Sequence, residues 1–187
     1  LTTQKVRCTV IDLDADQVEL FRKLGLKVFF FFSSREDLLH AAGAAEAKLF
    51  ILAIDDEAKS LEIAETVQRH YPHLHIMARA NGRVHAYEFL KRGITDVWRE
   101  TLDSSLEMSI AALRHLGHRA YEARRAARLF RAHDEATVHE LVDLWGDEPK
   151  YIAAVRQRME ILNEAMQADA ENLMPQFDEA WDTQTLA

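Results

Sequence analysis

Four acids and two arginines stand where a fold could put them to use. Asp12 and Asp14 follow the apolar stretch from Val6 to Ile11, and Asp55 and Asp56 follow Leu49 to Ile54. Arg79 falls next to the end of His75 to Ala80, and Arg99 follows Thr95 to Trp98. A carboxylate accepts two hydrogen bonds, so it suits a sugar diol. A guanidinium holds a phosphate or a carboxylate through paired N–H donors. The same groups have plainer uses: Asp14 or Asp16 can cap a helix, and Arg79 can enter a local ion pair. Binding chemistry is all these residues supply. No Ser-His-Asp order, metal-ligand spacing or pair of catalytic carboxylates stands out. His85, His115, His118, His133 and His139 lie on helix patterns and are expected at the surface. No enzyme is expected.

The elements that must position these groups alternate. Val6 to Ile11, Leu26 to Phe32, Leu49 to Ile54, His75 to Ala80 and Thr95 to Trp98 read as strands. Helix patterns separate them: Asp16 to Leu24 with Gly25 as its stop, Leu38 to Ala47, Ser60 to His70, and Val84 to Lys91 stopped by Gly93. Strand–helix alternation at this spacing predicts an α/β, Rossmann-like parallel sheet. Ligands collect at the carboxyl ends of such strands, where the acids and arginines lie. The glycine-rich turn and the strand that usually open this fold are missing, and Leu1 to Lys5 looks like the tail of something cut away. After Thr101 the pattern is helical only: Asp103 to Leu116, the arginine-rich Ala120 to Val142, and an acidic amphipathic region from Glu148. The expected division is residues 1–100 for the sheet domain and 101–187 for an all-helical extension. Arg124, Arg125, Arg128 and Arg131 are expected on a solvated helix face.

Composition narrows the partners. The chain has 187 residues, 48% of them hydrophobic, so it can bury a core. Its formal net charge of -8 argues against a nucleic-acid grip, which needs a basic footprint. Its one cysteine, Cys8, excludes an internal disulfide and falls in the first strand as buried filler. No apolar run approaches the about 18 residues of a membrane span. That predicts a soluble domain in a reducing compartment, or a soluble piece of a membrane protein.

From Cys8 to about Leu141 the chain resembles the cytoplasmic nucleotide-binding domain of Kef-type glutathione-gated potassium efflux systems, members of the wider KTN/RCK group. The resemblance rests on Val10-Ile-Asp-Leu-Asp, Phe21-Arg-Lys-Leu-Gly, Asp37-Leu-Leu, Ala42-Gly-Ala-Ala and Ala53-Ile-Asp-Asp. It continues through Tyr71-Pro-His-Leu, Ala78-Arg-Ala, Trp98-Arg-Glu-Thr and Tyr121-Glu-Ala-Arg. It implies a non-catalytic regulatory domain, a homodimer, on the cytoplasmic side of a cell inner membrane. Its partners would be the membrane antiporter domain of the same system and an ancillary oxidoreductase subunit. NADH or AMP would sit at Asp12, Asp14, Asp55 and Arg79. Glutathione, the regulatory ligand, would sit at Arg99 and at Asp134, where the family has an asparagine. Leu24 falls at the gating position, where the family has a displaceable phenylalanine. Phe31-Phe32-Ser33-Ser34 replaces the usual Gly-Asp-Ala/Ser and adds bulk near the adenine side. Two other classes compete: a soluble NAD-dependent oxidoreductase, and an interaction module that has lost its nucleotide.

Overall fold

The computed structural model describes residues 6–12, 14–30 and 35–171. The chain forms two compact units, Leu1–Arg79 and Ala80–Ala187. The run Phe31 to Ser34 lies outside the described residues.

The first unit holds strands β1 (Thr9–Asp12), β2 (Lys27–Phe30), β3 (Leu49–Leu52) and β4 (His75–Ala80), the last crossing the boundary by one residue. Helices α1 (Ala15–Lys23), α2 (Arg35–Ala42) and α3 (Glu57–His70) connect them. β1 pairs with β2 in parallel, from Thr9 opposite Lys27 to Asp12 opposite Phe30. β3 pairs with β4 in parallel, from Leu49 opposite His75 to Leu52 opposite Ala78. Local chemistry explains the connecting helices. The Asp14 carboxylate accepts from the Asp16 and Gln17 N–H groups at the start of α1. Asp56 accepts from Lys59 N–H at 2.9 Å to start α3. Ile63, Ala64 and Val67 then bury one face of α3.

Parallel pairing is as expected, but the strands form separate ladders: β1 and β2 belong to one sheet, and β3 and β4 to another. In the Rossmann order 3-2-1-4 the strand with the glycine turn lies between the equivalents of β1 and β3. Among the described residues no strand joins the two ladders. Leu49 and Ile51 of β3 are exposed accordingly. A parallel strand is normally covered on both faces.

The second unit opens on Ala80, whose carbonyl accepts from Glu100 N–H at 2.9 Å. It contains α4 (Arg83–Lys91), β5 (Asp96–Arg99), α5 (Leu102–His115), α6 (Ala120–Leu141) and α7 (Glu148–Glu171). Its core centres on Tyr87, Val138 and Leu141. The Tyr87 ring meets Trp145 and Tyr151 with centroids 5.6 and 5.9 Å away, and its hydroxyl lies 3.2 Å from that of Tyr151. Burial holds the Tyr87 hydroxyl well above its ordinary pKa, and the Tyr151 hydrogen bond adds to this. The Lys91 ammonium donates to the Trp145 carbonyl at 2.5 Å and fixes the turn before α7.

Four local expectations change. The helix expected from Leu38 to Ala47 ends at Ala42, because Gly43 turns left-handed at φ 91°; the chain resumes as a 3-10 turn over Ala44–Glu46. Cys8 precedes β1 and is only half-buried. His85 is 1% exposed, not a surface residue, since its Nδ1 accepts from Asn81 N–H at the start of α4. The arginines of α6 are more than a solvated face. Arg131 pairs with Asp103 of α5, and Arg125 grips Asp169 of α7.

The Arg125 hydrogen bonds hold the Asp169 carboxyl below the usual carboxylate range, outweighing the opposing effect of burial. The stability this pair contributes is present above the carboxyl's unfolded pKa and is lost as pH falls through the lower, folded value. Amide exchange in α7 should therefore accelerate below about pH 4. Asp169→Asn should already exchange fast at neutral pH and lose that acid step. A wild-type profile flat through the acid range would show that the pair does not hold α7.

Candidate functional site

In the first unit the expected binding groups stand at the carboxyl ends of strands. Asp12 is the last residue of β1, and its carboxylate accepts from Asp14 N–H at 2.9 Å. Asp14 is occupied in capping α1. Asp55 follows β3, with its side chain 92% exposed. Arg79 bridges two of these features: it donates to the Ala53 carbonyl at 3.2 Å and forms an ion pair with Asp55. The local ion pair is thus formed, between two residues at the carboxyl ends of neighbouring strands. With Asp55 this exposed, the ion pair is screened by solvent and contributes little to stability. Leu24 is the C-cap of α1 and stands 67% exposed.

The second unit carries a more buried constellation. Asp134, in the middle of α6, is 5% exposed. One of its oxygens takes the Arg83 guanidinium from the start of α4, and the other takes Arg99 from the end of β5. A carboxylate buried this deeply needs paired donors, and two guanidinia provide them. Two cations on one anion leave an excess of one positive charge. Arg99 also lines a small cleft of about 50 Å³, with Ala86, Leu90, Val97, Glu135 and His139 around it. That space is far below the about 300 Å³ at which ligand pockets begin. Among the described residues, no group of three or more His, Cys, Asp or Glu side chains could hold a metal ion.

Sequence reasoning singled out Arg99 and Asp134 but missed Arg83. A signal for it existed. Arg83 is the first residue of α4, and that helix has no acid in its first turn. A cation at the positive end of a helix dipole is unfavourable unless an anion holds it there.

The TrkA-N domain family matches residues 1–100, and the family of the potassium efflux system KefB C-terminal domain matches residues 104–181. A solved structure of a Kef C-terminal domain from Shewanella denitrificans, in its AMP-bound form, is 43% identical. That likeness covers 77% of this chain and 88% of that one, with a TM-score of 0.70. The chain belongs to the Kef family of potassium-efflux regulatory domains. The TrkA-N domain of the inner membrane protein ybaL from Escherichia coli is 22% identical over 58% of this chain and 80% of that one. Its TM-score of 0.53 speaks for the fold alone. As a Kef C-terminal regulatory domain, the chain pairs a Rossmann-like nucleotide-binding fold with a helical continuation. No described helix is long and apolar enough to cross a membrane.

Arg99→Ala leaves the buried Asp134 with Arg83 as its guanidinium partner. Losing a charge-assisted hydrogen bond should cost about 2 kcal/mol of stability. Urea denaturation followed by circular dichroism would measure it. An unchanged midpoint would mean that the carboxylate relaxes into solvent.

Proposed function

We propose that this Kef domain senses small metabolites and passes their occupancy to the potassium/proton antiporter of its own system, at the cytoplasmic face of the inner membrane. The reading rests chiefly on one observation: extensive likeness to a Kef C-terminal domain solved with AMP. The strand ends fit such a ligand chemically. Asp12 is suited to the ribose diol, with Asp14 beside it, and Arg79 to the phosphate once Asp55 yields. AMP needs one phosphate holder; NADH needs a pyrophosphate cradle as well, so AMP is the better fit to these residues. Glutathione is the second proposed ligand, at Arg99 and Asp134, with Leu24 as the side chain that gates. The working unit is proposed to be a homodimer, with an ancillary oxidoreductase as a third party. The role is regulatory and not enzymatic.

The separate β1–β2 and β3–β4 ladders favour one other reading, an interaction module without nucleotide. Titration calorimetry decides between them. AMP should bind saturably, and Asp12→Asn and Arg79→Ala should each weaken it about tenfold, the equivalent of one charge-assisted hydrogen bond. Saturation by neither AMP nor NADH would leave the interaction module.

A further inference from the structure

The α5–α6 hairpin concentrates charge of the sign opposite to that of the whole chain. Between Arg114 and Arg128 the sequence has five arginines and two histidines against one glutamate, in a chain of formal net charge -8. The two helices run antiparallel, since Arg131, midway along α6, reaches Asp103 in the first turn of α5. The closed end of the hairpin is a fixed turn. Gly117 is left-handed at φ 94°, and His118 N–H donates to the Leu113 carbonyl at 3.1 Å. That turn carries Leu116, which is 78% exposed, more than any other large hydrophobic side chain among the described residues. Tyr121, Arg124 and Arg128 follow at helical spacing along one face of α6, and all three are exposed. The Tyr121 hydroxyl is held by Arg125 at 3.1 Å. Arg125 itself is taken by Asp169, whereas among the described residues neither Arg124 nor Arg128 enters an ion pair.

We infer that the closed end of this hairpin is a contact surface for anionic phospholipid. Exposed guanidinia pair with lipid phosphates, an aliphatic side chain enters the acyl boundary, and a tyrosine suits the level between them. The leucine separates this surface from a plain polyanion grip. A nucleic-acid backbone offers nothing to an aliphatic side chain, while a bilayer offers hydrocarbon directly beneath its phosphates. The acids elsewhere in the chain are repelled by the same lipid, so the contact is confined to the hairpin end and orients the second unit at the membrane. The inference rests on the proposed place of the domain beside the inner membrane and not on the identity of its metabolites.

The test is co-sedimentation of the whole chain with phosphatidylglycerol-rich vesicles and with pure phosphatidylcholine vesicles, at low and high salt. The chain should bind the anionic vesicles, ignore the neutral ones, and come off at high salt. Arg124→Gln and Arg128→Gln should each weaken binding about fivefold, and together at least about tenfold. Leu116→Ser should weaken it further at unchanged charge. Arg156→Gln, which removes the same charge from α7, should leave it unchanged. These side chains are exposed, and circular dichroism checks that each variant is folded. Equal binding to both vesicle types, or an Arg156→Gln loss as large as that of Arg124→Gln, would overturn the inference. So would a self-association that depends on Arg124 and Arg128 in analytical ultracentrifugation, with no vesicle binding; the face would then belong to a second copy of the chain. Calorimetry with AMP on the same sample keeps the two proposals apart: AMP binding without vesicle binding overturns this inference and leaves the metabolite sensor standing.

Discussion

A single buried carboxylate organises the second unit. Asp134 gathers an arginine from the start of α4 and another from the end of β5 onto the middle of α6. Its desolvation is costly, and only well-placed donors offset it. The pair of guanidinia therefore fixes the register of three elements at once. A hydrophobic side chain at position 134 could fill the same space, but it would place no such demand on where Arg83 and Arg99 sit. The charge serves specificity of arrangement more than raw stability, in keeping with the behaviour of buried ion pairs elsewhere.

Around that point the rest of the unit is tied by chemistry of different kinds. Tyr87, Trp145 and Tyr151 stack in tilted and edge-on contacts that join α4 to the start of α7. Ion pairs then run along the helices: Arg131 to Asp103, Arg125 to Asp169 and Arg158 to Glu140. The first unit depends on a different device. Its polar groups sit at strand ends, held by caps and by an exposed ion pair. One unit thus holds its charged groups near the surface, and the other pairs them out of solvent.

Much of this was legible from residue order. Alternating apolar strands and amphipathic helices located the five strands seen among the described residues, and His75–Ala80 has the bounds its pattern predicts. Asp12, Asp55 and Arg79 could be assigned to strand ends because parallel strands end where their apolar runs end. Features set by distant partners could not be read. The helix after Leu38 looked continuous because Gly43 is compatible with a helix in sequence, and only its left-handed φ shows the break. His85 looked like a surface residue because its acceptor role depends on Asn81 N–H at the mouth of α4. Asp134 was legible only as a position implied to contact a ligand; its partner Arg83 lies 51 positions away, beyond the reach of any local pattern. Arg125 likewise finds Asp169 only once α6 and α7 have packed.

β3 carries a consequence for the behaviour of the polypeptide in concentrated solution. It ends the ladder that it shares with β4, and it turns Leu49 and Ile51 toward water. A short greasy strand at the rim of a sheet is a template on which other chains can stack. Lys48 stands just before it, and Asp55 and Asp56 stand just after. Charges that bracket such a segment act as gatekeepers against aggregation: they leave it uncovered yet make its self-stacking electrostatically awkward.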